Sequence, residues 1–317
     1  MGTALAQVIA SNGHEVRLWS IETDVLEEVR DHHRNTKYLE GIALRQGISP
    51  AWELSAAIDG AGLVIVSVPS QVVSALSRDI APHLQPGQMV LNVAKGLEGV
   101  SHRRMSEVLT GAAPSLDGRI GSMGGPAIAI EMARGLPMAI IVSFPDAEVC
   151  RNAQAILQNE HLKVATTTDL AGLELCATLK NVYAIALGMC DGLGLGTNTK
   201  AFVATLAIQE ISYICQALGG RAETVYGLAG LGDLLTTGFS EHSRNRTLGE
   251  KLGSAGNWDS FLRTHTVEGV AACRAVHELI AGRGLDVHLL DTLFEVLFKE
   301  RPAPEAMRHF FASFSYV

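Results

Sequence analysis

Positive charge is scarce in this chain of 317 residues. Lysine and arginine number 25 against 33 aspartates and glutamates, a net charge of -8. A phosphate backbone needs a basic surface, so nucleic acid is excluded as the main partner. Charged residues make up only 18% and apolar ones 47%, which rules out a disordered chain. No apolar run reaches the roughly 18 residues needed to cross a bilayer, and no stable membrane insertion is expected. The N-terminus lacks a basic segment followed by an apolar stretch, so no secretory signal is visible. The five cysteines (Cys150, Cys176, Cys190, Cys215 and Cys273) include no C-x-x-C pair. An odd, scattered set within apolar helical pattern reads as buried, reduced thiols of a cytoplasmic protein. The histidines show no H-E-x-x-H spacing, so no metal is expected.

What is present is enough for two domains with large cores. Gly2 to Ser11 carries Ala4, Leu5, Val8 and Ile9 on one helical face, with Gly13 as a stop. Glu15 to Trp19 alternates as a strand should. Leu63–Val68 and Met89–Val93 are β-rich runs, and Ala139–Val142 and Leu162–Thr166 read as later strands. Such runs separated by helices predict a doubly wound parallel sheet covered on both faces. After Thr168 the pattern turns helical, broken by glycine clusters at 192–196, 219–220 and 227–232. The expected organisation is an α/β dinucleotide-type domain over 1–167 and an all-α domain over 168–317.

The stretch from Leu179 to Arg246 carries chemistry. Lys180 lies among Cys176, Ala177, Leu179, Val182 and Ala184, where desolvation would lower its pKa and suit it to proton transfer. The plain alternative is a lysine that snorkels to water. Ser243-Arg244-Asn245-Arg246 offers a planar guanidinium flanked by short donors, suited to phosphate or carboxylate. It could also be a solvated helix start with Ser243 as N-cap. Asp233 sits in a glycine-rich turn, where forming the turn or capping a helix is its commonest use. Lys95 follows a strand and precedes Gly96, at the carboxyl edge of the sheet where ligands gather in open α/β folds; a surface loop lysine is the alternative. Glu268 could simply begin a helix with a favourable charge. The glycines of 192–196 read as packing points rather than a phosphate cradle, since no strand precedes them.

In order along nearly the whole chain, the motifs resemble those of bacterial-type NAD(P)-dependent glycerol-3-phosphate dehydrogenase. They include Gly2-Thr3-Ala4-Leu5-Ala6, Val68-Pro69-Ser70, Ala94-Lys95-Gly96-Leu97-Glu98 and Gly125-Pro126. Further on come Leu179-Lys180-Asn181-Val182, Gly230-Leu231-Gly232-Asp233-Leu234, Ser243-Arg244-Asn245-Arg246 and Val267-Glu268-Gly269. The resemblance implies hydride transfer between NAD(P)(H) and sn-glycerol 3-phosphate or dihydroxyacetone phosphate, feeding glycerophospholipid synthesis. It implies Lys180 as the catalytic proton acceptor. It also implies substrate contacts from Lys95, Gly125, Lys180, Asp233, Ser243, Arg244 and Asn245. Gly2, Glu22, Lys95, Ala129, Arg244 and Glu268 would contact the cofactor, and a homodimer is expected.

Three departures qualify the resemblance. Gly2 matches only the third glycine of the family's G-x-G-x-x-G loop, and the first two and the strand before them have no counterpart. That absence predicts two exposed strand edges and a depleted cofactor site. It points to a start at a wrong methionine or a truncated sequence; a natural chain beginning here would bind cofactor weakly or supply a compensating strand. Ala127 stands where the family has a small hydroxyl residue after Gly-Pro, so one substrate hydrogen bond is expected to be missing. Ile21 stands where NADP-using relatives tend to place a basic or imidazole side chain, and no cation is offered there. Glu22 beside it could accept ribose hydroxyls and would repel a phosphate, so NAD(H) is expected over NADP(H), with NADP still usable. Two other readings remain open. One is a related dehydrogenase of another hydroxy acid; the other is a non-catalytic ligand-binding remnant without the glycine loop.

Overall fold

The β-branched runs become strands whose alternating side chains feed separate cores. In the computed structural model every residue is described apart from Ala255, Asn257 and 314–317. The strands are β1 (Val16–Trp19), β2 (Ile48–Ala51), β3 (Leu63–Val66), β4 (Met89–Asn92), β5 (Ile120–Gly124), β6 (Met138–Ser143) and β7 (Leu162–Thr167). In β4 all four side chains are buried. Met89 and Leu91 join one cluster with Leu5, Val8 and Ile140, while Val90 joins another with Val73, Val108 and Ile120. Successive side chains point to opposite faces, so a continuously apolar strand needs cover on both. The cover comes from helices α1 (Gly2–Ser11), α2 (Thr23–His32), α3 (Leu54–Ile58), α4 (Ser70–Ile80), α5 (Met105–Ala112), α6 (Ala129–Ala133) and α7 (Ala147–Leu157).

The sheet comes in two pieces. β1 and β2 pair in parallel on their own, and the others run in the order β3-β4-β5-β6-β7. β1 and β3 each keep one unpaired edge, and no compensating strand lies there among the described residues. The pairings are parallel with one exception, since β6 runs antiparallel to β5. The strands β2 and β5 carried too weak a pattern to be read beforehand: β2 holds Pro50 and β5 two glycines.

The chain folds as two compact units, Met1–Ala94 with Met105–Leu170, and Lys95–Arg104 with Ala171–Val317. The second is built on α8 (Leu170–Gly192), α9 (Thr197–Ala217) and α10 (Ala222–Val225), then a π-helical turn over Leu228–Gly232. There follow α11 (Asp233–Phe239), α12 (Arg244–Gly253), α13 (Trp258–Thr264), α14 (Glu268–Ile280), α15 (His288–Phe298) and α16 (Ala303–Ser313). α8 corrects one expectation from the sequence. At 23 residues it is long and apolar enough to cross a bilayer, yet 89% of its most apolar window is buried inside the protein. A helix that is apolar on every side makes a core.

Glycines set how closely α12 approaches α8. A Cβ on Gly188 would overlap the carbonyl oxygen of Arg246, and one on Gly192 that of Glu250. In return, Cβ atoms on Gly249 and Gly253 would crowd the carbonyls of Ile185 and Met189. The two backbones therefore lie against each other over two turns. This close approach fixes the N-terminus of α12 relative to Lys180 and Asn181.

Candidate active site

Lys180 has no route to water along so apolar a helix, and it is 7% exposed. The snorkelling alternative therefore fails. Its Nζ donates to Asp233 Oδ1 at 2.6 Å and to Thr237 Oγ1 at 2.7 Å. Asp233 opens α11 and Thr237 follows one turn later, so the two side chains lie on one face. The second carboxylate oxygen of Asp233 accepts from Lys95 Nζ at 2.7 Å. One buried carboxylate thus serves two ammonium groups. Burial, the largest influence, pulls Lys180 down to about 8; Asp233 resists this and the neighbouring Lys95 adds to it. Burial also disfavours the Lys95 charge, but attraction to Asp233 and its hydrogen bond outweigh that and hold Lys95 above its ordinary value. The opposite directions fit the geometry, because Lys180 is the more enclosed of the two side chains.

Beside this triad runs a chain of amides. Asn181 donates to Glu268 Oε2 at 3.0 Å, and Asn245 donates to Asn181 Oδ1 at 3.0 Å. The Gly269 backbone N–H then donates to Asn245 Oδ1 at 2.9 Å. Position 269 must be glycine, because a Cβ there would overlap the Asn181 carbonyl oxygen. Burial raises the Glu268 carboxyl, against the pull of Lys95, Lys180 and Arg244. Ser243 caps α12 by accepting from the Arg246 N–H at 3.2 Å. Arg244 is exposed at that helix start, where amide groups and the macrodipole favour an anion. Arg246 turns away, and its Nε donates to Asp191 at 2.7 Å, a carboxylate shared with Lys200.

Family models match both halves of the chain. Residues 1–150 match the NAD-dependent glycerol-3-phosphate dehydrogenase N-terminus, and residues 169–308 the C-terminus of the same family. The chain belongs to the NAD-dependent glycerol-3-phosphate dehydrogenase family. It is 38% identical to the glycerol-3-phosphate dehydrogenase [NAD(P)+] of Moorella thermoacetica over 308 residues, covering 96% of this chain and 91% of that protein. It is 35% identical to that of Chlorobium luteolum, covering 96% and 93%. The crystal structure of a glycerol-3-phosphate dehydrogenase from Coxiella burnetii superposes with a TM-score of 0.90 at 29% identity, covering 98% of this chain and 95% of that one.

The residues expected from the glycerol-3-phosphate dehydrogenase resemblance divide between the two units. Gly2, Glu22, Gly125 and Ala129 belong to the first; Lys95, Lys180, Asp233, Ser243, Arg244, Asn245 and Glu268 belong to the second. Gly2 opens α1, whose first turn has no side-chain cap, and a Cβ on Gly2 would press on Ser67 at 3.2 Å. Those uncapped amides and the bare glycine fit a pyrophosphate. Glu22, twenty residues on, lies just past β1 at the start of α2, the place of a ribose-binding carboxylate. Gly125 follows β5 with φ of 98°, a conformation that favours glycine, and Ala129 begins α6.

One sequence reading needs correction. Asp233 is not in a turn, because the glycine-rich segment before it coils into the π-helical turn and Asp233 starts a helix. Lys95 follows the carboxyl end of β4 by three residues, and the segment 95–104 belongs to the second unit. Position 21 itself carries no cation, and the Lys37 Nζ lies 2.6 Å from Glu22 Oε1 beside it. The roles of Thr237, Asn181 and Lys37 as hydrogen-bonding partners escaped the sequence reading. Thr237 had a signal in its spacing of one helical turn from Asp233, and Asn181 one in its place beside Lys180.

Proposed function

We propose that this chain interconverts sn-glycerol 3-phosphate and dihydroxyacetone phosphate, with NAD(H) preferred and NADP(H) usable, to supply glycerophospholipid synthesis. The observation that carries the reading is Lys180, held by Asp233 and Thr237 and brought to about 8, beside the anion-ready start of α12. Unprotonated Lys180 takes the proton of the C2 hydroxyl as the C2–H electron pair departs as hydride and the C2–O double bond forms. The nicotinamide, when bound, accepts that hydride. In the reverse direction Lys180 returns the proton to the forming alkoxide. Asp233 and Thr237 aim the Lys180 amine, while Lys95 neutralises Asp233 and offers donors to the substrate.

Ser243, Arg244 and Asn245 hold the phosphate, with the Gly125 backbone as a further substrate contact. Gly2, Glu22 and Ala129 hold the dinucleotide, with Lys95, Arg244 and Glu268 also on the cofactor. In this reading residues 1–167 serve the dinucleotide and 168–317 the substrate. The enzyme acts as a cytoplasmic homodimer without stable membrane insertion. The test is nicotinamide absorbance during reduction of dihydroxyacetone phosphate, comparing NADH with NADPH and the parent with Lys180→Ala. Turnover that vanishes in a folded Lys180→Ala variant is the expected result. Near-normal turnover in that variant would remove the proton-transfer role, and an inactive parent would remove the enzyme reading.

A further inference from the structure

The first unit carries a second charged constellation, which the hydride chemistry does not use. Lys37 Nζ donates to Glu22 Oε1 at 2.6 Å and lies 3.7 Å from Asp24 Oδ2. The Lys37 ammonium also sits 5.7 Å from the centre of the Tyr38 ring. Residues 35–39 that present this lysine are braced. Asn35 is buried and donates to Thr3 Oγ1 at 2.8 Å, in the first turn of α1. Its side-chain oxygen accepts from the Tyr38 N–H at 3.3 Å, and its carbonyl from the Leu39 N–H at 2.8 Å. Thr36 is fastened to the Glu28 carboxylate through its backbone N–H and its hydroxyl. The lysine is therefore offered from a fixed segment tied to the helix that would hold the pyrophosphate, and it meets the carboxylate that would hold the adenosine ribose.

We propose that Glu22 and Lys37 form a switchable pair that reads the 2′-substituent of the adenosine ribose. The inference deepens the dehydrogenase reading and rests on it. Closed, the pair leaves Glu22 oriented with free lone pairs for a ribose 2′-hydroxyl, as NAD requires. Opened, it frees an ammonium at the end of a flexible four-carbon stem to meet a 2′-phosphate, and so offsets repulsion by Glu22. The cation missing at position 21 is replaced by one supplied from sixteen residues further along the chain. Opening the pair has a cost, so NAD remains the better ligand while NADP is still accepted.

The test is calorimetric binding of ADP-ribose and of 2′-phospho-ADP-ribose to the parent, Lys37→Ala, Lys37→Arg and Glu22→Gln. Removing one charge-assisted hydrogen bond to the phosphate weakens binding about tenfold. Lys37→Ala should therefore bind 2′-phospho-ADP-ribose about tenfold more weakly and stay within about twofold toward ADP-ribose. Lys37→Arg should keep both ligands, and Glu22→Gln should tighten the phosphorylated one. An unchanged ratio of the two affinities in Lys37→Ala would overturn the pair as selector. A parent that takes ADP-ribose but not its 2′-phosphate would do the same. A parent that binds neither would overturn the inference together with the cofactor reading beneath it.

Discussion

Replacing Lys180 with methionine should change how stability depends on pH in a direction that the buried ammonium dictates. The lysine lies at about 8 in the fold and at 10.5 as a free side chain. Between those values the unfolded chain holds more protons than the folded one, so the contribution of Lys180 to stability grows as pH rises. Below 8 its penalty is complete, and above 10.5 it has vanished. That interval corresponds to about 3 kcal/mol, at about 1.4 kcal/mol per pH unit. Methionine matches the stem in length and leaves Asp233 paired with Lys95, so no orphan carboxylate is created. The Thr237 hydroxyl loses its donor at a cost of about 1 kcal/mol, which does not vary with pH and cancels in the slope. The assay is urea denaturation of parent and Lys180→Met from pH 7 to pH 10. The parent should gain on the variant by about 2 to 3 kcal/mol over that range. Oxidation of sn-glycerol 3-phosphate by the parent should rise as pH passes through about 8 and level off about one unit higher. A stability difference that stays flat or shrinks with pH would refute the reasoning that Lys180 is buried as a reluctant cation.

Gly249→Ala forces a methyl into the Ile185 carbonyl and should cost about 1–3 kcal/mol or more by thermal denaturation, whereas Gly62→Ala meets open space and should be tolerated. An unchanged melting temperature in Gly249→Ala would contradict the close approach of α8 and α12. Asn245→Ala strips partners from the Gly269 N–H and the Asn181 side-chain oxygen Oδ1; about 1–3 kcal/mol of stability should be lost, with a raised KM for the phosphorylated substrate. Unaltered stability and KM would remove Asn245 from the amide chain. Glu210 is buried under the Tyr183 hydroxyl and the first amides of α15, and burial pushes its carboxyl up to about 7. From 4.5 to 7 the unfolded chain holds fewer protons at this group, so its contribution to stability falls as pH rises. Glu210→Gln should abolish that fall, about 3 kcal/mol in all, and an identical pH dependence in the two proteins would exclude it.

Much of the fold was legible because its signals are local. Gly2–Ser11 shows its helical face in ten residues, and β3 and β4 announce themselves as β-rich runs. The strand β5 was illegible because glycines at 121 and 124 weaken its pattern. Its antiparallel neighbour β6 shows no sign of direction in its own residues, since alternation is the same either way. At the site, Lys180 could be singled out because an ammonium in an apolar run is a local anomaly. Its partners were another matter. The hydrogen bond from Lys95 to Asp233 spans 138 positions, and the amide chain joins residues from three helices. Lys37 was missed for the same reason, because only the fold shows which carboxylate a surface lysine meets.

The segment from Lys95 to Arg104 has a consequence for how such a protein can be rebuilt. It lies between β4 and α5 in the chain, yet it packs with the helical unit and carries one of the two lysines on Asp233. The helical unit is therefore not a cassette that begins at residue 171. A chimera joined there, with the front half taken from another dehydrogenase, would inherit a foreign partner for its own Asp233. Recombination that respects the ion triad has to move two pieces together, a ten-residue insert and the C-terminal half. The two lysines that share one carboxylate are thus bound to be inherited as a set, although 84 residues separate them in the chain.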